Sequence, residues 1–245
     1  MITPKPSDAK HKVQLIRLLT ALVDDVYISR MSHFKGGTCA AMLGYLNRFS
    51  VDLDFDSEKQ ADKHKMEKNI ATIITQLRLE IKNKSATTLF YTLKYPSTGG
   101  ERNTLKVSFM GEEMEGNIYE KKYIPEIDRF ISCQTIETMF ANKLIALTNR
   151  YKKNKSIAVR DVYDIHHFFE QGYKYNPEII TLRTEKSAKE YLKEVIHFIE
   201  DKITEKDITN DLSFLLEFKH FQALRKTLKQ ETIILVEDEI KRLTR

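Results

Sequence analysis

No apolar run in these 245 residues approaches the ~20 residues that a helix needs to cross a bilayer. The N-terminal stretch MITPKPSDAKHKVQLIRLL has neither the apolar h-region nor the small-residue cleavage site of a signal peptide. A membrane role is excluded on this reading, and a cytoplasmic location is expected. The two cysteines, Cys39 and Cys133, are too few and too far apart in sequence for a disulfide framework, which agrees with a reducing compartment. Cys39 falls in the first turn of an expected helix, where a thiol pKa drops, but no histidine partner is identifiable and a buried structural thiol is expected. There is no Ser/His/Asp triad, zinc-ligand spacing, internal repeat or low-complexity stretch. His166 and His167 are adjacent and so point to different helix faces, which argues against a shared metal. What remains is 41% hydrophobic and 31% charged, a soluble globular composition long enough for one large or two modest cores.

The chemistry-bearing segment is FKGGTCAAMLGYLNRFSVDLDF, residues Phe34 to Phe55. Gly36 and Gly37 allow a tight turn and close approach to a phosphate, and the residues that follow Thr38 read as a helix whose N-terminal amides would face an anion. Alternation along a strand puts Asp52 and Asp54 on one face, where their oxygens could hold a divalent metal. Taken alone, Gly-Gly-Thr occurs in ordinary turns and an Asp-x-Asp pair in solvated strand edges. A second segment, ETMFANKLIALTNRYKKNKSIAVRDVYDI, runs from Glu137 to Ile165. Helical spacing places Lys143 and Arg150 on one face and Asp161 and Asp164 on another, an arrangement that also suits a salt-bridged helical hairpin without a ligand. The net charge of +5 is uneven: from Lys143 to Arg160 every charged residue is basic (Lys143, Arg150, Lys152, Lys153, Lys155, Arg160). Such a cluster suits a triphosphate or a nucleic-acid backbone, and equally a solvated loop.

In combination, the order strand, Gly-Gly-Thr, helix, Arg48-Phe49-Ser50-x-Asp52-x-Asp54 resembles the polymerase-beta-like nucleotidyltransferase superfamily. Within it the chain is most similar to the AbiEii/AbiGii toxin type, which includes the MenT toxins. Lys143, Ala146, Arg150, Arg160, Asp161 and Asp164 match that type's Lys-x-x-Ala helix, basic loop and Arg-Asp-x-x-Asp helix. The resemblance implies nucleotide transfer from a nucleoside triphosphate with Mg²⁺ or Mn²⁺ on Asp52 and Asp54, and catalytic roles for Asp52, Asp54, Lys143 and Asp161. It implies nucleotide contacts at Gly36, Gly37, Thr38, Arg48, Ser50, Arg150 and Asp164, with Arg48 open to a structural role; alternation along Thr104 to Met110 separately puts Lys106 on the face with Thr104 and Ser108, placed to meet a phosphate. It further implies a toxin with a cognate antitoxin, and an RNA acceptor such as tRNA, or a protein. Many relatives in the superfamily carry a third carboxylate on the neighbouring strand. Ser108 stands in that place here, with Glu112 and Glu113 beyond the expected strand end. Two alternatives therefore stay open: a degenerate nucleotide- or RNA-binding module, and a nucleotidyltransferase acting on a small molecule.

The expected fold is α+β: a mixed-sheet nucleotidyltransferase-like domain over residues 1–130 and a helical bundle over 131–245. In the first domain we expect a helix from about Asp8 toward Val26, capped by Ser7, with a stripe of Val13, Ile16, Leu19, Leu22 and Val23. Strands follow at Ser32 to Lys35 and Val51 to Asp56, and a helix at Gln60 to Lys82. Two more strands, Thr88 to Tyr95 and Thr104 to Met110, flank the Pro96-Ser97-Thr98-Gly99-Gly100 turn. Six helical periods are expected beyond Thr135, the last two at Asp207 to Phe218 and Phe221 to Leu243.

Overall fold

The structure, a computed structural model, describes residues 2, 5, 6, 8–97, 102–112 and 115–244, without the side chains of 110–112. The expected Ser7 cap, the Thr98-Gly99-Gly100 part of the expected turn and the side chains of Glu112 and Glu113 lie outside the described residues. The chain divides into two compact units, one ending at Gln134 and the other beginning at Thr135.

The first unit is built on a seven-stranded mixed sheet in the order β3-β4-β5-β2-β1-β7-β6. Its strands are β1 Ser32–Lys35, β2 Asp52–Ser57, β3 Glu80–Lys84, β4 Leu89–Lys94, β5 Thr104–Glu112, β6 Tyr119–Ile124 and β7 Arg129–Gln134. Strand β2 runs antiparallel to β1 and parallel to β5, so the acidic strand lies in the interior of the sheet. Alternation then separates two chemistries. Leu53, Phe55, Val107, Phe109 and Phe34 are buried, with Phe55 stacked on its register partner Phe109 at 4.7 Å. Asp52, Asp54 and Asp56 take the other face.

The helices of this unit are α1 Asp8–Asp24, α2 Val26–Arg30, α3 Gly36–Met42 and α4 Lys63–Gln76. Helix α1 buries Leu15, Leu18, Leu19 and Leu22, the i, i+3, i+4, i+7 set, so its inner face is rotated from the expected stripe and Val13 is 54% exposed. It stops where Asp25 caps α2, accepting from the amides of Tyr27 and Ile28. The helix expected to reach Lys82 ends at Gln76. Arg78 adopts φ 54, and residues from Glu80 pair with β4 instead, because apolar periodicity stops at Leu79 and the edge-strand ladder satisfies the backbone. The strands β6 and β7 were not expected at all; they hide in a charged segment, YEKKYIPEIDRFISCQ, whose inward side is carried by Ile124, Ile131 and Cys133. Strand β5 also runs to Glu112, so that residue belongs to the strand and not to the loop beyond it.

The second unit is helical throughout its described elements: α5 Ile136–Asn154, α6 Val159–Glu170, α7 Pro177–Thr184, α8 Ala188–Lys202, α9 Glu205–Leu212, α10 Phe218–Leu224 and α11 Leu228–Arg242. Side-chain caps set several starts: Thr135 for α5, Asn176 for α7, and capping boxes Ser187/Glu190 and Thr204/Asp207 for α8 and α9. Helix α9 therefore starts earlier and ends earlier than expected, and the final expected helix is two, α10 and α11. Helix α11 packs against α6 and α8, over a core that includes Phe140, Leu144, Val162, Phe168, Leu192, Val195 and Val236.

Candidate active site

The glycine turn and the acidic strand are in contact. Gly36 has φ +79, and a Cβ there would sit 3.0 Å from Asp54 Oδ2. At Gly37 a Cβ would lie 2.5 Å from Arg48 Nη2 and 3.1 Å from Ser50 Oγ. Both positions thus require glycine for close approach, the first to the carboxylate and the second to the guanidinium. Arg48 itself is buried and donates to the Phe49 carbonyl at 3.0 Å. Thr38 is buried as well; its hydroxyl donates to the Asp52 carbonyl and lies 2.8 Å from Ser50 Oγ. Thr38, Ser50 and Arg48 therefore knit α3 to the start of β2 and hold the turn against the strand.

Asp52 and Asp54 are partly exposed and point the same way. The parallel register sets Lys106 beside Asp52 and Ser108 beside Asp54. Ser108 Oγ donates to Asp54 Oδ1 at 2.7 Å, so the position where relatives place a third carboxylate supplies a hydroxyl that steadies the second one. Lys106 is exposed on the same face. This donor set fits a hard divalent cation that takes one or two carboxylates from protein and completes its shell with water and substrate phosphate. Among the described residues no group of three or more His, Cys, Asp or Glu side chains gathers as a closed metal cage.

Sequence reasoning passed over the next carboxylate. Asp56 is 0% exposed and its oxygens accept from Lys35, from Gln134 Nε2 at 2.6 Å, from Tyr119 Oη at 2.9 Å and from Asn117 Nδ2 at 3.1 Å. Beside it, His33 bonds Ser132 Oγ at 2.7 Å and Glu58 Oε1 at 2.8 Å, and stacks on Tyr119. The alternation Asp52, Asp54, Asp56 and the position of Lys35 next to Gly36 were the signals that could have revealed this network. Cys39 and Cys133 take no part in chemistry: both are buried, and burial together with their mutual contact pushes the Cys39 thiol well up, against thiolate formation.

In the second unit the structure brings all four expected residues together. Lys143 Nζ lies 2.8 Å from Asp161 Oδ1 and 2.9 Å from Asp164 Oδ2, and Arg150 Nη2 lies 3.2 Å from Asp161 Oδ2. Asp161 and Asp164 are 1% and 0% exposed, Lys143 is 17% and Arg150 38%. Two helices supply the cluster, α5 the cations and α6 the carboxylates. Of the basic run, Lys152 pairs with Glu194 at 2.6 Å and Lys155 sits 5.0 Å over the Tyr151 ring.

Comparison with known proteins agrees with this fold. The chain is similar in fold to a provisionally named nucleotidyltransferase from H. pylori, with TM-score 0.63 at 20% identity over 98% of this chain and 97% of that one. It is also similar to JHP933 from Helicobacter pylori, with TM-score 0.58 at 19% identity over 99% and 98% of the two chains. A further neighbour is MenT4, the nucleotidyltransferase toxin Rv2826c of Mycobacterium tuberculosis H37Rv, with TM-score 0.55 at 16% identity over 96% and 87%. No curated protein matches the sequence. The family profile described as "Nucleotidyl transferase AbiEii toxin, Type IV TA system" matches residues 17–232, which include both the Gly-Gly-Thr/Asp-x-Asp segment and the Lys143/Asp161 cluster. The chain therefore belongs to the AbiEii nucleotidyltransferase toxin family and is a nucleotidyltransferase.

Proposed function

We propose that the protein transfers a nucleotide from a nucleoside triphosphate to an RNA acceptor, with tRNA the first candidate, and that it does so with Mg²⁺ or Mn²⁺ as the toxin of a toxin–antitoxin pair. The acceptor oxygen attacks the α-phosphorus, the bond to the bridging oxygen breaks, pyrophosphate leaves, and the acceptor's proton passes to a carboxylate of the site. A divalent ion held by Asp52 and Asp54 would supply the positive charge that such an in-line displacement needs. The observation that supports the reading is the close approach of Gly36 to Asp54, which brings the glycine turn against one of the carboxylates proposed to hold the ion.

The remaining residues divide the work. Gly36, Gly37 and Thr38 shape the phosphate approach. Helix α3 has 7 residues, too short for its dipole to be a principal source of affinity. Affinity for the phosphates is therefore assigned to a cation, Lys106 beside Asp52, and Lys143 is assigned as the reactive cation of its own cluster. Arg48 and Ser50 act through the turn they brace. Asp161 and Asp164 orient the Lys143 ammonium, and Arg150 keeps Asp161 in place. A cytoplasmic site of action and a cognate antitoxin belong to the same proposal. Incubating the purified chain with each α-labelled triphosphate, Mg²⁺ and total RNA tests it, because the label reports donor and acceptor together. Label on RNA is the expected outcome; label on protein alone moves the acceptor, and binding of triphosphate without transfer leaves a degenerate binding module.

A further inference from the structure

The antiparallel pairing of β1 with β2 sets Lys35 directly opposite Asp54 and His33 opposite Asp56. Directly opposite side chains start about 4.5–5.5 Å apart at Cβ, diagonal ones about 7–8 Å. Proximity alone would pair the Lys35 ammonium with Asp54. The structure instead joins it to Asp56 Oδ1, the diagonal neighbour. Among the described residues, the polar partner of Asp54 is the neutral Ser108 hydroxyl, and its second oxygen faces Gly36.

We propose that Asp56 is a positioning residue: by holding the Lys35 ammonium it keeps Asp54 open to a divalent cation. The inference rests on the metal-dependent reading above. A carboxylate removed from water needs charge compensation and full hydrogen bonding. Asp56 obtains the second from Gln134, Tyr119 and Asn117, all on Oδ2, which leaves Oδ1 for Lys35. Three neutral donors from outside β1 and β2 thus fix the orientation of Asp56, and with it the place of the cation. Without that anchor, Lys35 would neutralise Asp54 across the ladder and repel an incoming metal.

The test is calorimetric titration of the full chain with Mn²⁺ alone, without nucleotide, with circular dichroism as the folding control. Wild type should bind, and Asp52→Ala should not. Asp56→Asn should weaken binding by at least about tenfold, because it frees a unit charge a few ångströms from the site. The double variant Lys35→Met/Asp56→Asn should bind as wild type does, since it removes the ammonium and the buried carboxylate together and leaves the net charge of the pair unchanged. Asp56→Asn with wild-type affinity overturns the inference, and so does a folded double variant that still binds weakly. If Asp56→Asn does not fold, the double variant decides alone, on the same criterion. Failure of wild type to bind Mn²⁺, or binding undiminished in Asp52→Ala, removes the metal-dependent function itself and is distinguishable from loss of the Asp56 role only.

Discussion

The protein carries two acidic pairs in opposite electrostatic settings. Asp52 and Asp54 lie on a strand, partly exposed, with a serine hydroxyl and a glycine against Asp54. Asp161 and Asp164 lie on a helix, at 1% and 0% exposure, and share one lysine. On the strand, Asp54 has a neutral hydroxyl as its partner and Asp52 has Lys106 beside it. On the helices, the carboxylates are more deeply buried than the cations they hold. On the function proposed above, the same residue type then has different work in the two units: metal ligand in the first, orienting group in the second.

The sharpest break of this comparison is truncation. Asp52→Ala and Asp54→Ala should each lower nucleotide transfer by about a thousandfold or more, since the charge at the α-phosphate loses its counterweight. Stability should change by no more than about 1 kcal/mol, because partly exposed strand carboxylates contribute little to it. Urea unfolding and labelled-triphosphate transfer measure the two sides. Full activity in either variant would remove the pair from the mechanism.

Lys143→Met should do the reverse in its own unit. It strips the shared cation from two buried carboxylates, and breaking a buried pair by removing one partner costs about 3–5 kcal/mol. Arg150→Ala should cost much less, because the guanidinium is 38% exposed and its partner keeps Lys143. Chemical denaturation of the two variants gives the ranking; equal stabilities would mean that the cluster is solvated and that the two acidic pairs do not differ as described.

The strand that presents Asp52 also has a pH-dependent anchor. His11 is fully buried on α1, donates from Nε2 to the Val51 carbonyl at 3.1 Å and sits 3.0 Å from the Tyr95 hydroxyl. Burial lowers its pKa to about 4. A histidine with a depressed folded pKa stays neutral in the fold while the unfolded chain, with a pKa near ~6.5, takes up a proton. Its contribution is therefore complete above pH ~6.5 and lost as pH falls toward about 4, by up to about 3 kcal/mol. Burial also lowers the pKa of His167 in the second unit, with the same sign. The difference in stability between pH 7 and pH 4.5 should shrink in His11→Gln relative to wild type; an unchanged difference would assign acid sensitivity elsewhere.

Much of this was legible in the sequence, and the pattern of what was not is physical. Local signals located β1, the Gly-Gly-Thr turn, the Asp52/Asp54 alternation and most helices of the second unit, because turns and periods depend on neighbours in sequence. The strands β6 and β7 were invisible because their apolar content is low; they pair with each other as a hairpin, and the place of β7 beside β1 is set by a contact with a strand roughly a hundred residues earlier. Non-locality also hid the Lys35–Asp56 pair, whose donors Tyr119 and Gln134 come from that overlooked segment and Asn117 from just before it. Lys143 and Asp161 were named from resemblance, and the structure adds that the carboxylates are the buried partners.

The smallest expected effect concerns the basic run, and it asks whether the second unit offers cations beyond Lys143. Lys152 is already committed to Glu194, which also takes Lys186 at 2.5 Å, and Lys155 rests on Tyr151. If the run tracks an RNA backbone, each phosphate contact releases about 0.7–0.9 of a counterion. Replacing Lys152, Lys153 and Lys155 by Ala should then reduce the slope of log affinity against log salt by about 1.5, less than three full contacts would give, because Glu194 holds part of one charge. Triphosphate affinity should stay near wild type, since Lys106 is assigned to that ligand. Titrating RNA and triphosphate separately over a salt series reads both quantities. An unchanged RNA slope would reduce the run to a solvated loop and would favour a protein or small-molecule acceptor, leaving Lys143 as the cation through which the buried acids of the second unit act.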